Sequence, residues 1–365
     1  MERATLVIVE FDRKYGASWP LADEQAEMEE LMRSAGVQVV EVIHAPRHVP
    51  VAATLVGSGK LEEIHQRAHA SKSGVVIFNQ EFSPAQQRNA EEVLGVKTID
   101  RTQLILDIFA QRAKSQEGKI QVELAQSRYL LPRLVGKGIA LSRLGGGIGT
   151  RGPGEQKLEV DRRRIRNHIS RLEDQLTKLT RQRQATRQRR KDAHAAVVAL
   201  VGYTNVGKST LLNALSGGLG GRVENRLFTT LDPLARRVRL PGGGWMILTD
   251  TVGFLHRLPH HLIEAFKATL EETRDADVLL HLMDASHPLV MEQADAVREV
   301  LRMLNLEGKS VITVLNKVDR VPDSNVLASL SRQLPNPVPI SALKGDGLDV
   351  LLRRIEEQLA LVPSE

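Results

Sequence analysis

The sequence predicts an α/β protein in three parts: a small, mostly parallel α/β subdomain, an antiparallel helical hairpin, and a doubly wound α/β domain. Three observations lead there. Strand-like and helix-like runs alternate over the first hundred residues, and the alternation returns from Ala195 to the end. Between them lies a polar stretch with apolar residues at coiled-coil spacing, interrupted by a glycine-rich run. Alternating strands and helices build parallel sheets, and spaced apolar seams pair helices. The three parts are expected at 1–100, 101–194 and 195–365.

In the first part, Thr5–Phe11, Val37–His44 and Val75–Phe78 are β-branched or apolar runs. Glu24–Ser34 and Leu61–Ala70 lie between them with apolar residues at helical spacing. Ser83–Leu94 follows, with Pro84 placed for a first helical turn. Gly57-Ser58-Gly59-Lys60 falls at a strand-to-helix junction. Its backbone amides could hold a phosphate, or the glycines could simply turn the chain.

The second part is helical from Arg101 to Arg133, with an interruption expected at Gly118 and with Ile120, Leu124 and Leu131 on one face. Leu144–Gly154 then contains Gly145, Gly146, Gly147, Gly149, Gly152 and Gly154, six glycines in eleven residues. Neither helix nor strand persists through such a run. From Glu155 the pattern is helical again. Ile165, Ile169, Leu172, Leu176 and Leu179 are spaced 4, 3, 4 and 3 apart, a coiled-coil seam. Two helices joined by a long flexible loop can pair antiparallel, and Glu155–Asp192 would span roughly 55 Å.

Composition narrows the function. The 365 residues are 42% hydrophobic and 26% charged, which predicts a packed core. There is no Cys. Disulfides, thiol catalysis and Cys-ligated metal sites are therefore excluded, and a reducing compartment is expected. Apolar runs such as Val278–Met283 fall far short of the ~20 residues of a membrane helix. Met1–Ala4 opens directly into a strand with no secretory layout. A cytoplasmic protein without a membrane span is expected. Residues 151–195 hold 14 Lys and Arg against 6 Asp and Glu, a net of +8 that exceeds the whole chain's +6. So local a charge points to one polyanion-binding element. No aromatic falls there. Phosphates or folded RNA shape are the expected targets, rather than stacked bases.

The third part opens with the buried-strand run Ala195–Val201. Further apolar runs follow at Asp277–Met283 and Ser310–Leu315, and the last helix is expected at about Leu348–Leu361, so no later domain is expected. Gly202-Tyr-Thr-Asn-Val-Gly207-Lys208-Ser209 matches GxxxxGK[ST] between strand and helix. Its amides can wrap phosphates, Lys208 can reach the β- and γ-phosphates, and the Ser209 hydroxyl can ligate Mg²⁺. Asn205 and Thr210 belong to the same phosphate loop. Asp250-Thr-Val-Gly253 follows the strand Trp245–Thr249. Asp250 is placed to hold the metal through water, and the Gly253 amide to sense the γ-phosphate. Asn316-Lys317-Val-Asp319 follows the next strand, and its Asp319 carboxylate can accept two hydrogen bonds from guanine. Adenine lacks that donor pair, and a site built on it rejects such an analogue by about 10⁴-fold or more. Ser341-Ala342 can offer an amide to guanine O6. Four motifs in this order, each after a strand, specify GTP and a doubly wound P-loop GTPase domain. Lys208 and Gly253 are expected to carry hydrolysis, together with a threonine of the loop that precedes Asp250.

Between Gly217 and Asp232 a polar, Gly-rich stretch holds Thr229 and Thr230, one of which should bind Mg²⁺ in the GTP state. Phe254 stands where many GTPases place a water-orienting Gln, so intrinsic hydrolysis should be slow until a partner or a cation completes the site. His260 and His261 are adjacent, point apart if helical, and are read as surface residues rather than metal ligands.

Taken together, Gly145–Glu155, the upstream segments Leu104–Arg112 and Glu117–Arg133, and the Gly202–Ser209 loop resemble HflX, a ribosome-associated GTPase family of the Obg–HflX group. The resemblance covers nearly the whole chain, and the Gly-rich run with its flanking helices is its most diagnostic part. It implies Thr230 as the switch threonine, since Phe228-Thr-Thr230-Leu-Asp-Pro233 matches the family's Phe-x-Thr-Leu-Asp-Pro setting. It also implies an apolar residue at Phe254. Asn205 resembles the asparagine of potassium-activated GTPases, whose carbonyl helps hold K⁺. Whether it does so here or only braces the loop stays open. The family's implied function is GTP-dependent binding to the large ribosomal subunit and splitting of stalled or hibernating ribosomes. Some members carry a further C-terminal domain, whose functions are not carried over. Gly145, Gly146, Gly147, Gly149, Arg151, Gly152 and Gly154 are then the expected contacts to ribosomal RNA, and the protein is expected to be a monomer. A second reading keeps a GTP-gated RNA-binding or assembly factor in which hydrolysis only times release.

Overall fold

The structure is a computed structural model. It describes residues 1–12, 19–134, 153–192, 196–217, 227–228, 234–257, 259, 262 and 272–361. Its contacts divide the chain into two units, Met1–Gln111 with Lys119–Leu176, and Arg112–Gly118 with Thr177–Glu365.

The first unit holds a four-stranded, all-parallel sheet in the order β2-β1-β3-β4. Its strands are β1 (Glu2–Phe11), β2 (Val37–Arg47), β3 (Val75–Phe78) and β4 (Lys97–Ile99). The helices α1 (Leu21–Ser34), α2 (Ser58–Ala70) and α3 (Pro84–Leu94) connect them. Residues 4–9 of β1 and all of β3 are buried, as expected of inner strands covered on both faces. β2 is an edge strand, which is why it tolerates Pro46. α3 starts on a full capping box. Ser83 Oγ accepts from the Gln86 amide, Gln86 reaches back to the Ser83 amide, and Pro84 follows. Gly95 ends that helix at φ +68°. β4 is three residues long and carries no periodic signal, so sequence reading missed it.

Two helices follow, α4 (Arg101–Arg112) and α5 (Gln116–Arg133). The break falls at Ala113–Ser115, not at the expected Gly118. Ser115 Oγ accepts the Gly118 amide at 2.9 Å. Gly118 thus sits in a first turn, where its amide needs a side-chain partner and its flexibility costs little. Ile120 and Leu124 are buried as expected, and Val122, Ala125 and Tyr129 are buried as well. α6 (Pro153–Asp192) is a single 40-residue helix, roughly 60 Å long. Along its described side chains the expected seam is the sheltered stripe. Leu172 is buried and Ile165, Ile169, Leu176 and Leu179 are half-buried, while Arg163, Arg164, Arg166 and Arg171 are exposed. Arg128 of α5 donates to Glu173 at 2.7 Å, and His168 meets Glu123 at 2.9 Å. Gly154 lies in the first turn of α6. Gly145, Gly146, Gly147, Gly149, Arg151 and Gly152 lie outside the described residues.

The second unit holds a six-stranded sheet in the order β10-β9-β8-β5-β7-β6. Its strands are β5 (Ala196–Gly202), β6 (Leu234–Arg239), β7 (Trp245–Asp250), β8 (Val278–Asp284), β9 (Ser310–Asn316) and β10 (Val338–Pro339). Only β6 is antiparallel. Its helices include α7 (Lys208–Leu215), α8 (Val290–Met303), α9 (Ser324–Gln333) and α10 (Leu348–Leu361). The sheet order reverses beside β5, with β7 on one flank and β8 on the other. In open α/β sheets that switch point is where ligands bind, outside the carboxyl ends of the strands. β6 reads Leu-Ala-Arg-Arg-Val-Arg and has no strand-like hydropathy, so it too escaped sequence reading.

Candidate nucleotide-binding site

The glycine-rich loop begins on the last residue of β5 and ends on the first of α7, at that switch point. Gly202 pairs with Leu282 of β8, and a Cβ there would come within 2.5 Å of the Leu282 carbonyl oxygen. Gly207 adopts φ +98° and caps α7, and a Cβ on it would meet the Asn316 side-chain amide. Both positions therefore require glycine. Asn205 is also left-handed, at φ +61°, and its side chain is exposed.

Lys208 is buried and donates from Nζ to the carbonyls of Gly202 at 3.1 Å and Tyr203 at 2.8 Å. Burial lowers it from the usual lysine value to about 8, against an opposing pull from Asp250. Two carbonyls hold the ammonium in the concavity of the loop, where an anionic ligand would meet it. Ser209 Oγ donates to Asp250 Oδ2 at 2.6 Å, which puts a hydroxyl and a carboxylate side by side at the mouth of the loop. Two hard oxygens of this kind suit Mg²⁺, so the residues present fit that ion. Thr210 is half-buried in the first turn of α7. Thr230, with Thr229, lies outside the described residues, as do His260 and His261.

The Asp250–Gly253 segment is docked on the loop by backbone. The Phe254 amide donates to Gly202 O at 3.1 Å, and the Thr204 amide donates to Phe254 O at 2.8 Å. A Cβ on Gly253 would lie 2.8 Å from Thr204 Cγ2 and 3.0 Å from Lys208 Nζ. Gly253 is thus pressed against the lysine. The Phe254 side chain is 1% exposed, so it serves as core and offers nothing to a water molecule.

The guanine-type motifs converge through Asn316. Its Nδ2 donates to Val206 O at 2.7 Å, and its Oδ1 accepts the Ala342 amide at 3.0 Å. One buried side chain therefore ties the phosphate loop to the Ser341-Ala342 turn. Ser341 Oγ donates to Asp319 Oδ1 at 2.6 Å and holds that carboxyl below the usual aspartate range. Lys317 is left-handed, at φ +62°, and its ammonium donates to Asp284 Oδ2 at 2.6 Å. Asp284, at the carboxyl end of β8, was not singled out from sequence. An acidic residue closing an otherwise apolar strand run was the available signal.

The comparisons with known proteins agree with this geometry. Residues 22–110 match the family model described as GTP-binding GTPase N-terminal, and residues 112–190 match GTP-binding GTPase Middle Region. Residues 197–317 match 50S ribosome-binding GTPase. The chain is 51% identical over 336 residues to GTPase HflX of Caldanaerobacter subterraneus subsp. tengcongensis, covering 91% of this chain and 76% of that relative. The chain belongs to the HflX family of GTPases. GTPase HflX of Escherichia coli is 45% identical, over 93% of this chain and 79% of that relative. A solved GTP-binding protein from Sulfolobus solfataricus in complex with GDP is similar in fold, with a TM-score of 0.51 at 23% identity over 100% of both chains. GTP hydrolysis, expected from the motifs, is thus the activity of this family. No helix among the described residues is long and apolar enough to cross a membrane.

Proposed function

We propose that this HflX-family GTPase binds the large ribosomal subunit in its GTP state and splits stalled or hibernating ribosomes, with hydrolysis resetting the cycle. The observation that carries the nucleotide half is the double hydrogen bond of Asn316, which joins the phosphate loop to the turn that holds Asp319. A guanine-selecting carboxylate and a polyphosphate cradle are thereby held in one rigid frame. Lys208 binds the β- and γ-phosphates. Ser209, Asp250 and Thr230 would hold Mg²⁺, which neutralises charge on the phosphates when bound. Gly253 offers its amide to the γ-phosphate. Gly202, Asn205, Gly207 and Thr210 complete the loop, and Asn316, Lys317, Asp319, Ser341 and Ala342 enclose the base. Asn205 would hold K⁺ beside the phosphates, and that ion would add positive charge there when bound.

The ribosomal half rests on the likeness of residues 197–317 to ribosome-binding GTPases and on the exposed arginines of α6. In this reading 1–100, 101–194 and 195–365 act as N-terminal subdomain, hairpin and GTPase domain. Gly145–Gly154 inserts into ribosomal RNA, and the arginines of α6 track its phosphates with salt-sensitive affinity. The test is a sucrose gradient of joined ribosomes with the protein and GTP or a non-hydrolysable analogue. Conversion to free subunits is expected. Binding without conversion would leave a GTP-gated RNA-binding or assembly factor instead. The isolated protein should turn over at about 10⁻³ s⁻¹ or less. Large subunits should accelerate it, and KCl should support faster hydrolysis than NaCl at equal ionic strength.

A further inference from the structure

We propose that the β6–β7 hairpin of the GTPase unit is a second RNA-contact surface, in which Arg237 and Arg239 hold phosphates and Trp245 stacks on an unpaired base. The choice of ribosomal RNA as its natural source rests on the functional reading above. The surface itself is read from the hairpin alone.

β6 and β7 pair antiparallel, with Arg239 opposite Trp245 and Arg237 opposite Ile247. Residues two apart on one strand share a face, so Arg237, Arg239 and Trp245 stand together. The opposite face, with Val238, Met246 and Leu248, is buried in the core. The Arg237 guanidinium carbon lies 4.5 Å from the Trp245 ring centroid and that of Arg239 lies 6.0 Å away. All three side chains are exposed, Trp245 at 47%. Among the described residues neither arginine has a carboxylate partner.

Charge alone would protect an edge strand such as β6 from pairing with another chain. Edge protection has no use for a tryptophan, and Trp245 keeps 47% of its surface exposed even with Arg237 over its ring. Trp245 is one of only two tryptophans in the chain. An aromatic ring flanked by guanidinium groups that no carboxylate neutralises is the combination that binds single-stranded nucleic acid, with phosphates held by charge and a base stacked on the ring. The hairpin tip, Pro241-Gly242-Gly243-Gly244, is low and close to solvent, so the backbone of a ligand strand can approach it. Glu356 is committed to the tip, accepting the Gly242 amide at 2.9 Å. The aromatic stacking that the basic helix α6 lacks is therefore supplied by the hairpin.

The test uses the full chain carrying W19F, which leaves Trp245 as the sole indole. Its emission is followed during titration with oligo-uridylate at several KCl concentrations. Saturable quenching is expected, with affinity falling as salt rises. R237Q/R239Q should weaken binding at this site at least tenfold and reduce the salt slope by about 1.4, two phosphates at about 0.7 each. GTP affinity should stay unchanged in both variants, which also reports that they are folded. Should W19F fail to fold, the difference in emission between wild type and W245F gives the same reading. Absence of saturable quenching, equal quenching in R237Q/R239Q, or a stronger response to oligo-glutamate than to RNA overturns the proposal; the last would make the hairpin a dock for an acidic protein segment. Wild-type protein that is quenched by RNA yet fails to sediment with large subunits keeps this proposal and breaks the ribosomal reading. Sedimentation without quenching breaks this proposal alone.

Discussion

The two sheets of this protein end in opposite ways. At the carboxyl edge of the N-terminal sheet, the polar groups satisfy one another. Asn79 Oδ1 accepts the Val9 amide at 2.8 Å, and its Nδ2 donates to Val9 O and Glu24, both at 3.1 Å. Asp100, fully buried, accepts from the amides of Phe82 and Gln103 and from Arg133 at 3.3 Å. Arg133 in turn donates to Gln87 and to the carbonyls of Phe82 and Tyr129, and lies 3.5 Å over the Tyr129 ring. Burial among these groups raises the Tyr129 phenol. At the same edge of the GTPase sheet, Lys208 bonds among the described residues only to its own loop's carbonyls, and glycines stand where any side chain would collide. The first edge is closed by side chains that complete one another. The second keeps its phosphate loop open, with the Lys208 ammonium held by backbone and the Asp319 carboxylate held by Ser341 at the base end. Fold class alone does not make a site; the chemistry placed at the strand ends does.

The same contrast covers the N-terminal glycine pair. Gly57 caps α2, but the Arg47 guanidinium occupies the space beside it, and Lys60 is paired with Glu63 at 2.8 Å. Lys60 thus faces a carboxylate, where Lys208 faces carbonyls.

The largest expected effect falls on the open edge. Asp319→Asn should weaken GTP binding by about 10⁴-fold and admit xanthine nucleotides, read as affinities for GTP, XTP and ATP. Unchanged GTP preference would remove Asp319 from the base site. Next, Arg133→Ala on the closed edge leaves the Asp100 charge buried without its cation and should destabilise the N-terminal unit by about 3–5 kcal/mol. Denaturant unfolding measures that loss, and GTP affinity should not change. A fall in GTP affinity would mean the two edges are coupled. Smaller still, Gly207→Ala forces a left-handed alanine against Asn316, at about 1–3 kcal/mol. It should appear both in thermal unfolding and as weaker GDP binding.

The smallest effect concerns pH. Lys208 titrates near 8 in the folded chain, below its unfolded value. Between those two values the unfolded state binds more protons, so this group's contribution to stability rises as pH increases from about 8 toward 10.5. A polyphosphate restores the charge. Proton uptake should therefore accompany GTP binding at pH 8 to 9, and affinity should fall across that window. Calorimetry in buffers of differing ionisation enthalpy reads the proton count. No uptake would mean Lys208 stays charged throughout.

The sequence by itself determined the elements whose signals are local. The strand Val75–Phe78 and the helix Leu348–Leu361 have the structure's own bounds, because strand and helix periods are written in successive side chains. The order of four short motifs placed the phosphate loop, Asp250, Gly253, Asn316 and Asp319 at strand ends for the same reason. Tertiary structure alone decided what depends on partners far along the chain. β4 and β6 exist because a neighbouring strand supplies their hydrogen bonds, not because Lys97–Ile99 or Leu234–Arg239 would extend unaided. Asn316 could be read as part of a base-binding motif, yet its grip on Val206, 110 residues earlier, appears only once β9 lies in the same sheet as β5. The clustering of Arg237 and Arg239 over Trp245 likewise follows from strand register. Pairing across a hairpin sets which side chains share a face, and composition carries no trace of it.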